Sequence, residues 1–307
     1  MRKALSSELD QLATEQPNPA SADLDQKSAI EIARIINSED AKVASAVERA
    51  LPQIAQAIDW IAEALANGGR LIYVGTGTSG RIAALDASEC PPTFDIDPRL
   101  VQFVMAGGRK ALGAAVEADE DSRKLGVREI RKKRLGKKDV VVGIAASGRT
   151  PFTIAAIEWA RRAGAKTIAV TCNPGSDLGA AADLAIVVET GPEVVSGSTR
   201  MKAGTAEKMV LNMLSTGAMV RLGYVYGNLM VNLHQKNSKL AERAVAIVQR
   251  ALGVGRDQAR RLLATAGNSV PTAILMHSAG VKKKLAEQAL AAAAGNVRKA
   301  ITLAGNL

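Results

Sequence analysis

Apolar, β-branched runs recur along the first two thirds of the chain: "RLIYVG" (70–75), "VQFVMAG" (101–107), "DVVVGIA" (139–145), "KTIAVTC" (166–172) and "LAIVVET" (184–190). Each is apolar at nearly every position instead of alternating, the pattern of a strand buried on both faces of a parallel sheet covered by helices. Helix-like stretches separate most of them. The pattern therefore predicts an α/β domain with a doubly wound five-stranded parallel sheet, over about residues 56–225. Upstream, residues 1–55 form an N-terminal arm with helices. "SAIEIARIINSEDAKVASAVERALPQIAQAIDWIAEALANGG" reads as two helices, parted at Asn37, Ser38 and Asp40 and stopped by Gly68 and Gly69. From "STRMKAGTAEKMVLNMLSTGAMV" onward the pattern is helical throughout, and residues 226–307 make a C-terminal helical module. In it "AVAIVQRALG", "GRDQARRLLATAG" and "SVPTAILMHSAG" predict a small three-helix bundle near 245–280, and "KKKLAEQALAAAAGNVRKAITLAG" adds one or two helices.

Composition narrows the classes. At 307 residues the chain can bury a sizeable core. The net charge of +10 is unevenly spread, with twelve Lys and Arg against three Asp and Glu in residues 235–307. No Trp, Tyr or Phe lies among those charges, so they read as a solvated face, and nucleic acid is not an expected partner. No segment approaches the ~20 apolar residues of a membrane span, and the first twenty residues lack an apolar core, so the expectation is a cytoplasmic protein without a membrane partner. Cys90, Cys172, His234 and His277 have no metal-ligand spacing. No metal or cofactor is expected.

The candidate chemistry lies in three loops. "GTGTSGRIAALDASECPP" (75–92) follows the first strand and leads into a helix, where free N–H groups and a positive dipole end favour an anion. As a dinucleotide fingerprint it lacks the acidic residue that should end the second strand. As a P-loop it has Arg81 and Ile82 where lysine and a hydroxyl are required. What remains is a monoester phosphate held by backbone N–H groups and by the hydroxyls of Thr76, Thr78 and Ser79. "ASGRTPF" after the third strand repeats the device with Ser147, Gly148 and Thr150, before a helix starting near Pro151. "SGSTRMKAGT" places Ser196, Ser198 and Thr199 before a long helix. Three such loops in one α/β domain point to a phosphosugar or similar anion. Arg81, Arg149, Arg200 and Lys202 flank them as candidate phosphate neutralisers, and Lys239 and His234 lie in a segment that can close over a sugar.

"GTGTSGR", "DASECPPTF", "GIAASGRTPF", "CNPGS", "SGSTRMKAGTAEKMVLNMLST" and "NSKLAERA" resemble the N-acetylmuramic acid 6-phosphate etherases over nearly the whole chain. The resemblance implies a sugar isomerase (SIS) domain, a C-terminal ubiquitin-associated-like helical module, and a homodimer. It also implies an activity: cleavage of the lactyl ether at C3 of the sugar phosphate with water, giving N-acetylglucosamine 6-phosphate and D-lactate in cell-wall recycling. On this resemblance Glu89 is the proton donor and Glu120 the second acid/base. The residues alone leave Glu117, Asp119, Glu120 and Asp121 equivalent.

Glu89 poses a distance problem. In one straight helix from Ser79, a rise of ~1.5 Å per residue puts it about 15 Å from the anion, beyond the reach of a hexose. Pro91 and Pro92 predict that the chain leaves the helix near Cys90, so that Glu89 faces a partner's pocket and the active site lies near the subunit interface. Two other classes fit less well. Glucokinase regulatory proteins resemble this family but bind phosphosugars through two SIS domains, whereas this chain has one and keeps both glutamates. SIS-containing transcription regulators carry an N-terminal helix-turn-helix, which the acidic to neutral "EIARIINSEDAKVASAVERAL" does not match.

Overall fold

The computed structural model describes residues 12–114, 119–232 and 238–305. Its contacts gather the chain into two compact units, one running to Ser88 and resuming over Arg99–Ser215, the other made of Glu89–Pro98 and Thr216 onward.

Among the described residues, two 3-10 turns (Pro19–Ser21 and Leu24–Gln26) and then three α-helices, α1 (Ala29–Asp40), α2 (Val43–Arg49) and α3 (Leu51–Ala66), precede the sheet, where the pattern predicts two helices. Asn37, Ser38 and Asp40 do not break α1. All three are exposed, and a polar residue on a solvated turn costs only a few tenths of a kcal/mol in helix propensity. The chain turns instead at Ala41–Lys42 and again at Ala50, after which Pro52 sits in the first turn of α3, where its missing N–H is harmless.

The sheet follows: β1 (Leu71–Gly75), α4 (Gly77–Phe94), β2 (Val101–Met105), α5 (Arg123–Arg131), β3 (Val140–Ile144), α6 (Pro151–Arg162), β4 (Lys166–Thr171), the short α7 (Asp177–Ala181) and β5 (Leu184–Val187). The five strands are parallel in the order β2-β1-β3-β4-β5, with Leu71 in register with Val101 on one side and Val140 on the other. Every residue of β1 and β3 is buried, as expected of apolar runs with no polar face. Ile72, Val74 and Val141 pack on Phe152 and Ile157 of α6 and Leu178 of α7.

Helix α4 corrects a second expectation. It stays helical through Pro91 and Pro92 to Phe94. Each proline removes one N–H bond to the preceding turn, and both stand in the last turns, so few helical residues follow the defect. Asp95 then closes the helix, with its N–H donated to the Pro91 carbonyl at 2.9 Å and φ of +55°. Buried Phe94 and Ile96 anchor this stretch.

α8 (Lys202–Leu222) leads out of the first unit. The second unit is not helical throughout. A small antiparallel hairpin, β6 (Val225–Tyr226) and β7 (Leu229–Met230), turns at Gly227-Asn228. Among the described residues five helices follow: α9 (Ser238–Leu252), α10 (Arg256–Thr265), α11 (Val270–Ala279), α12 (Lys283–Ala292) and α13 (Val297–Gly305). Val248, Leu263, Ile274 and Val297 share one core, and Leu275, Ala286, Ala289 and Ala300 a smaller one. The last segment thus adds two helices to the three-helix group. No described helix is long and apolar enough to cross a membrane.

Candidate functional site

The strand order reverses between β1 and β3. The crevice outside the carboxyl ends of those two strands is where open α/β sheets hold ligands, because helix starts converge there. The loops after β1 and β3 are two of the three hydroxyl loops picked out above.

The first loop enters α4 at Gly77, whose φ of +50° suits glycine. Its bare Cα also leaves room for a neighbour: a Cβ at Gly77 would stand 3.2 Å from Glu120 Oε1. Glu120 is held there by its backbone, since its carbonyl accepts the N–H of Phe152, at the start of α6, at 3.0 Å. The half-buried Glu120 carboxyl thus stands at the first turn of α4, beside the switch point. Asp121 is exposed, Asp119 is half-buried, and Ser122 caps α5 by accepting the Leu125 N–H. Glu117 lies outside the described residues. The geometry therefore distinguishes Glu120 from the described acids beside it.

On its other side the first loop meets α8. A Cβ at Gly204 would lie 3.3 Å from Thr78 Cγ2, so the starts of α4 and α8 nearly touch. Ser79 Oγ and Glu207 Oε1 are 2.8 Å apart. Glu207 is 1% exposed, and burial pushes its pKa up to about 8. Deeper in the same unit Asp86 accepts from the Tyr73 hydroxyl at 2.8 Å and the Ser215 hydroxyl at 3.0 Å, and burial raises it to about 6.

The second loop turns at Gly148, φ +69°, where a Cβ would collide with Ser176 Cβ at 2.3 Å. Ser147 Oγ accepts the Arg149 N–H at 3.2 Å. Thr150 is the N-cap of α6, yet its hydroxyl makes no capping bond.

The third segment is organised differently. Glu193 is fully buried, and its two oxygens accept the N–H groups of Lys202 and Ala203 at 3.0 and 2.9 Å. The dipole end of α8 is thereby occupied by a carboxyl from the chain itself. Ser196 donates to the Glu15 carbonyl at 2.9 Å, and Ser198 is half-buried. Lys202 is 2% exposed and its Nζ pairs with Glu39 Oε2 at 2.6 Å. Lysine and the Asn18 amide hold the Glu39 carboxyl down to about 2 against the cost of burial.

Two of the flanking cations are therefore committed to the fold. Lys202 serves Glu39, and Arg81 donates to the carbonyls of Leu112 and Ala114 at 3.3 and 3.0 Å. Arg200 is exposed. Lys239 lies in the second unit, exposed in the first turn of α9, and His234 lies outside the described residues. Glu89, exposed on α4, also groups with the second unit. The helix is continuous from Ser79 to Glu89, so the separation of about 15 Å along its axis stands. The structure brings Thr78, Ser79 and Glu120 together around one helix start.

Glu207, Glu193 and Glu39 escaped sequence reasoning. For Glu207 a signal existed: it stands between Ala203 and Val210 on the buried face of α8, one acid in an apolar stripe. Among the described residues no group of three or more His, Cys, Asp or Glu is placed to hold a metal ion.

The chain matches a family model for the glucokinase regulatory protein N-terminal SIS domain over residues 53–161 and one for the SIS domain over 129–217. A Symbiobacterium thermophilum protein named N-acetylmuramic acid 6-phosphate etherase is 58% identical over 274 residues, covering 89% of this chain and 91% of that one. This chain belongs to the N-acetylmuramic acid 6-phosphate etherase family. Etherases so named from Clostridium botulinum and Vibrio cholerae are each 50% identical, covering 95% and 96% of this chain and 97% and 98% of theirs. Among solved structures, a proposed phosphosugar isomerase involved in capsule formation from Bacteroides fragilis superimposes with a TM-score of 0.51 at 19% identity, over 68% of this chain and 98% of that one. That likeness concerns the SIS fold.

Proposed function

We propose that this etherase-family chain is a carbon–oxygen lyase that cleaves the D-lactyl ether of N-acetylmuramic acid 6-phosphate with water, giving N-acetylglucosamine 6-phosphate and D-lactate in peptidoglycan recycling. The observation that carries the reading is the Glu120 carboxyl against Gly77 at the β1/β3 switch point, in a chain so similar to named etherases. Opening the sugar to its aldehyde acidifies the C2 proton. A carboxylate removes that proton, the C3–O bond breaks, and a carboxylic acid protonates the departing lactate oxygen. Water then adds at C3 of the unsaturated intermediate, giving one proton to the carboxylate that had protonated the lactate oxygen, while the base returns its proton to C2. Glu120 and Glu89 are the acid/base pair, Glu89 giving its proton to the lactate oxygen. Each positioned group is typically worth ~10²–10⁴-fold in rate.

Thr78, Ser79, Ser147 and Thr150 bind the phosphate with the helix-start N–H groups. Ser196, Ser198 and Lys239 are further candidate ligands of the sugar phosphate. The chemistry needs no cofactor. A phosphate ester is retained by the cell membrane, which places the reaction in the cytoplasm. The distance along α4 supports a homodimer in which Glu89 serves the partner's pocket. The decisive experiment incubates purified protein with N-acetylmuramic acid 6-phosphate and assays D-lactate. Binding without release would make the chain a sensor. Mixed Glu89→Gln and Glu120→Gln subunits test the shared pocket: about a quarter of all pockets should recover, and no recovery despite subunit exchange rejects sharing.

A further inference from the structure

Ser79 is proposed above as a phosphate ligand, and the inference rests on that reading. A hydroxyl has one proton to donate, and Ser79 Oγ already lies 2.8 Å from Glu207 Oε1. If Glu207 is ionised it can only accept, so it takes the Ser79 proton and turns the oxygen's lone pairs toward the anion. If Glu207 is the neutral acid, the roles reverse.

We propose that Glu207 is a positioning residue: its protonated carboxyl donates to Ser79 Oγ, aims the Ser79 hydroxyl proton at the substrate phosphate, and makes phosphate affinity depend on that buried proton. The surroundings keep the proton in place. Glu207 is 1% exposed, and among the described residues no cation pairs with it. The groups around it are accounted for on each element. From α4 comes Ser79. After β4 comes buried Cys172, whose thiol is pushed up by burial and by the carboxyls of Glu207 and Glu193, so that it stays neutral. On α8 itself Lys202 is held by Glu39 and the exposed Lys208 acts on Asp86. Glu193, on the segment before α8, accepts two backbone N–H groups. An isolated carboxyl in this setting titrates at about 8, above the second ionisation of a phosphate monoester near ~6. Between pH 7 and 9 the ligand's charge is therefore constant while that of Glu207 changes.

The test is the affinity for N-acetylglucosamine 6-phosphate, measured by calorimetry from pH 6.5 to 9.5 on the wild type, Glu207→Gln and Ser79→Ala. Only the protonated form binds well, so wild-type Kd should rise about tenfold from pH 7 to pH 9. Glu207→Gln keeps an amide donor beside Ser79 and cannot ionise, so its affinity should persist with a flat profile. Ser79→Ala should bind about tenfold more weakly at pH 7 and also be flat. A flat wild-type profile, or a wild-type slope surviving in either variant, overturns the inference. If Glu207→Gln does not fold, Ser79→Ala decides alone. The lactate assay separates the two readings: release of lactate with a flat profile rejects the role of Glu207 alone, whereas a slope without lactate release rejects the etherase reading and leaves the proton linkage standing.

Discussion

The starts of α4 and α8 are both helix N-termini preceded by glycine and hydroxyl residues, yet carboxyl groups meet them in opposite ways. At α8, Glu193 accepts the first N–H groups, Lys202 is buried against Glu39, and Ser196 is bound to the arm at Glu15. The arm completes the closure, with the Asn18 amide donating to Glu39 at 3.0 Å and Ser21 to the Val194 carbonyl at 2.8 Å. At α4, Glu120 stands beside Gly77 and Glu207 lies beneath Ser79. One start is filled by the protein's own acid and serves as a structural clamp, while the other has the carboxyls of Glu120 and Glu207 placed beside Gly77 and Ser79. A Ser/Gly stretch before a helix becomes an anion site only where the fold leaves its donors to the ligand.

The largest expected effect breaks the comparison at α4. Glu120→Gln should retain the fold and sugar-phosphate binding but lose ~10²–10⁴-fold in lactate release, because an amide keeps the shape and exchanges no proton. Near-normal turnover would remove Glu120 from the chemistry.

The next falls on α8. Lys202→Met leaves buried Glu39 only the exposed Lys42 as a cation partner, and breaking one partner of a buried pair typically costs up to ~3–5 kcal/mol. Urea unfolding should show that loss, and the Glu39→Gln/Lys202→Met double variant should recover much of it. A single variant as stable as wild type would mean that the clamp does not hold the segment.

The two clusters should also respond to pH with opposite sign. The Glu39 carboxyl is held down to about 2, so its contribution is complete above the ordinary carboxylate range near ~4.3 and is lost as pH falls through about 2. Glu207 and Asp86 are raised, to about 8 and about 6. Their contribution is greatest in acid and declines as pH rises through those values, because the fold disfavours their charge. Glu207→Gln should therefore lose less stability than wild type between pH 6 and 9 in denaturant titrations. Parallel profiles would contradict the buried neutral acid.

The smallest difference separates two serines. Ser147→Ala should raise KM by roughly tenfold if its hydroxyl bonds a charged phosphate. Ser196→Ala should raise it less, since that hydroxyl must first release the Glu15 carbonyl. Equal increases would place both serines on the ligand in the bound state.

Much of this was legible in sequence, for identifiable reasons. β1 and β3 announce themselves because a strand buried on both faces has no polar position to hide. Pro151 marks the start of α6, since proline suits a first turn. Proline was misleading at positions 91 and 92, where the helix ends only after Phe94. The helix carries the loss of those two N–H bonds because buried Cys90, Phe94 and Ile96 hold its end.

The sequence by itself determined the two-face burial of the strands, the hydroxyl loops at strand ends, and the helical character of most of the C-terminal part. These follow from the spacing of residue types within a few turns. Tertiary structure alone decided that Glu120, among the described acids near it, meets the loop, that Lys202 is spent on Glu39, and that Glu207 is buried against Ser79. Glu207 lies 128 positions from Ser79, and Lys202 lies 163 from Glu39. Desolvation and pairing set the charge of a buried group, and both depend on neighbours that only the folded chain brings together.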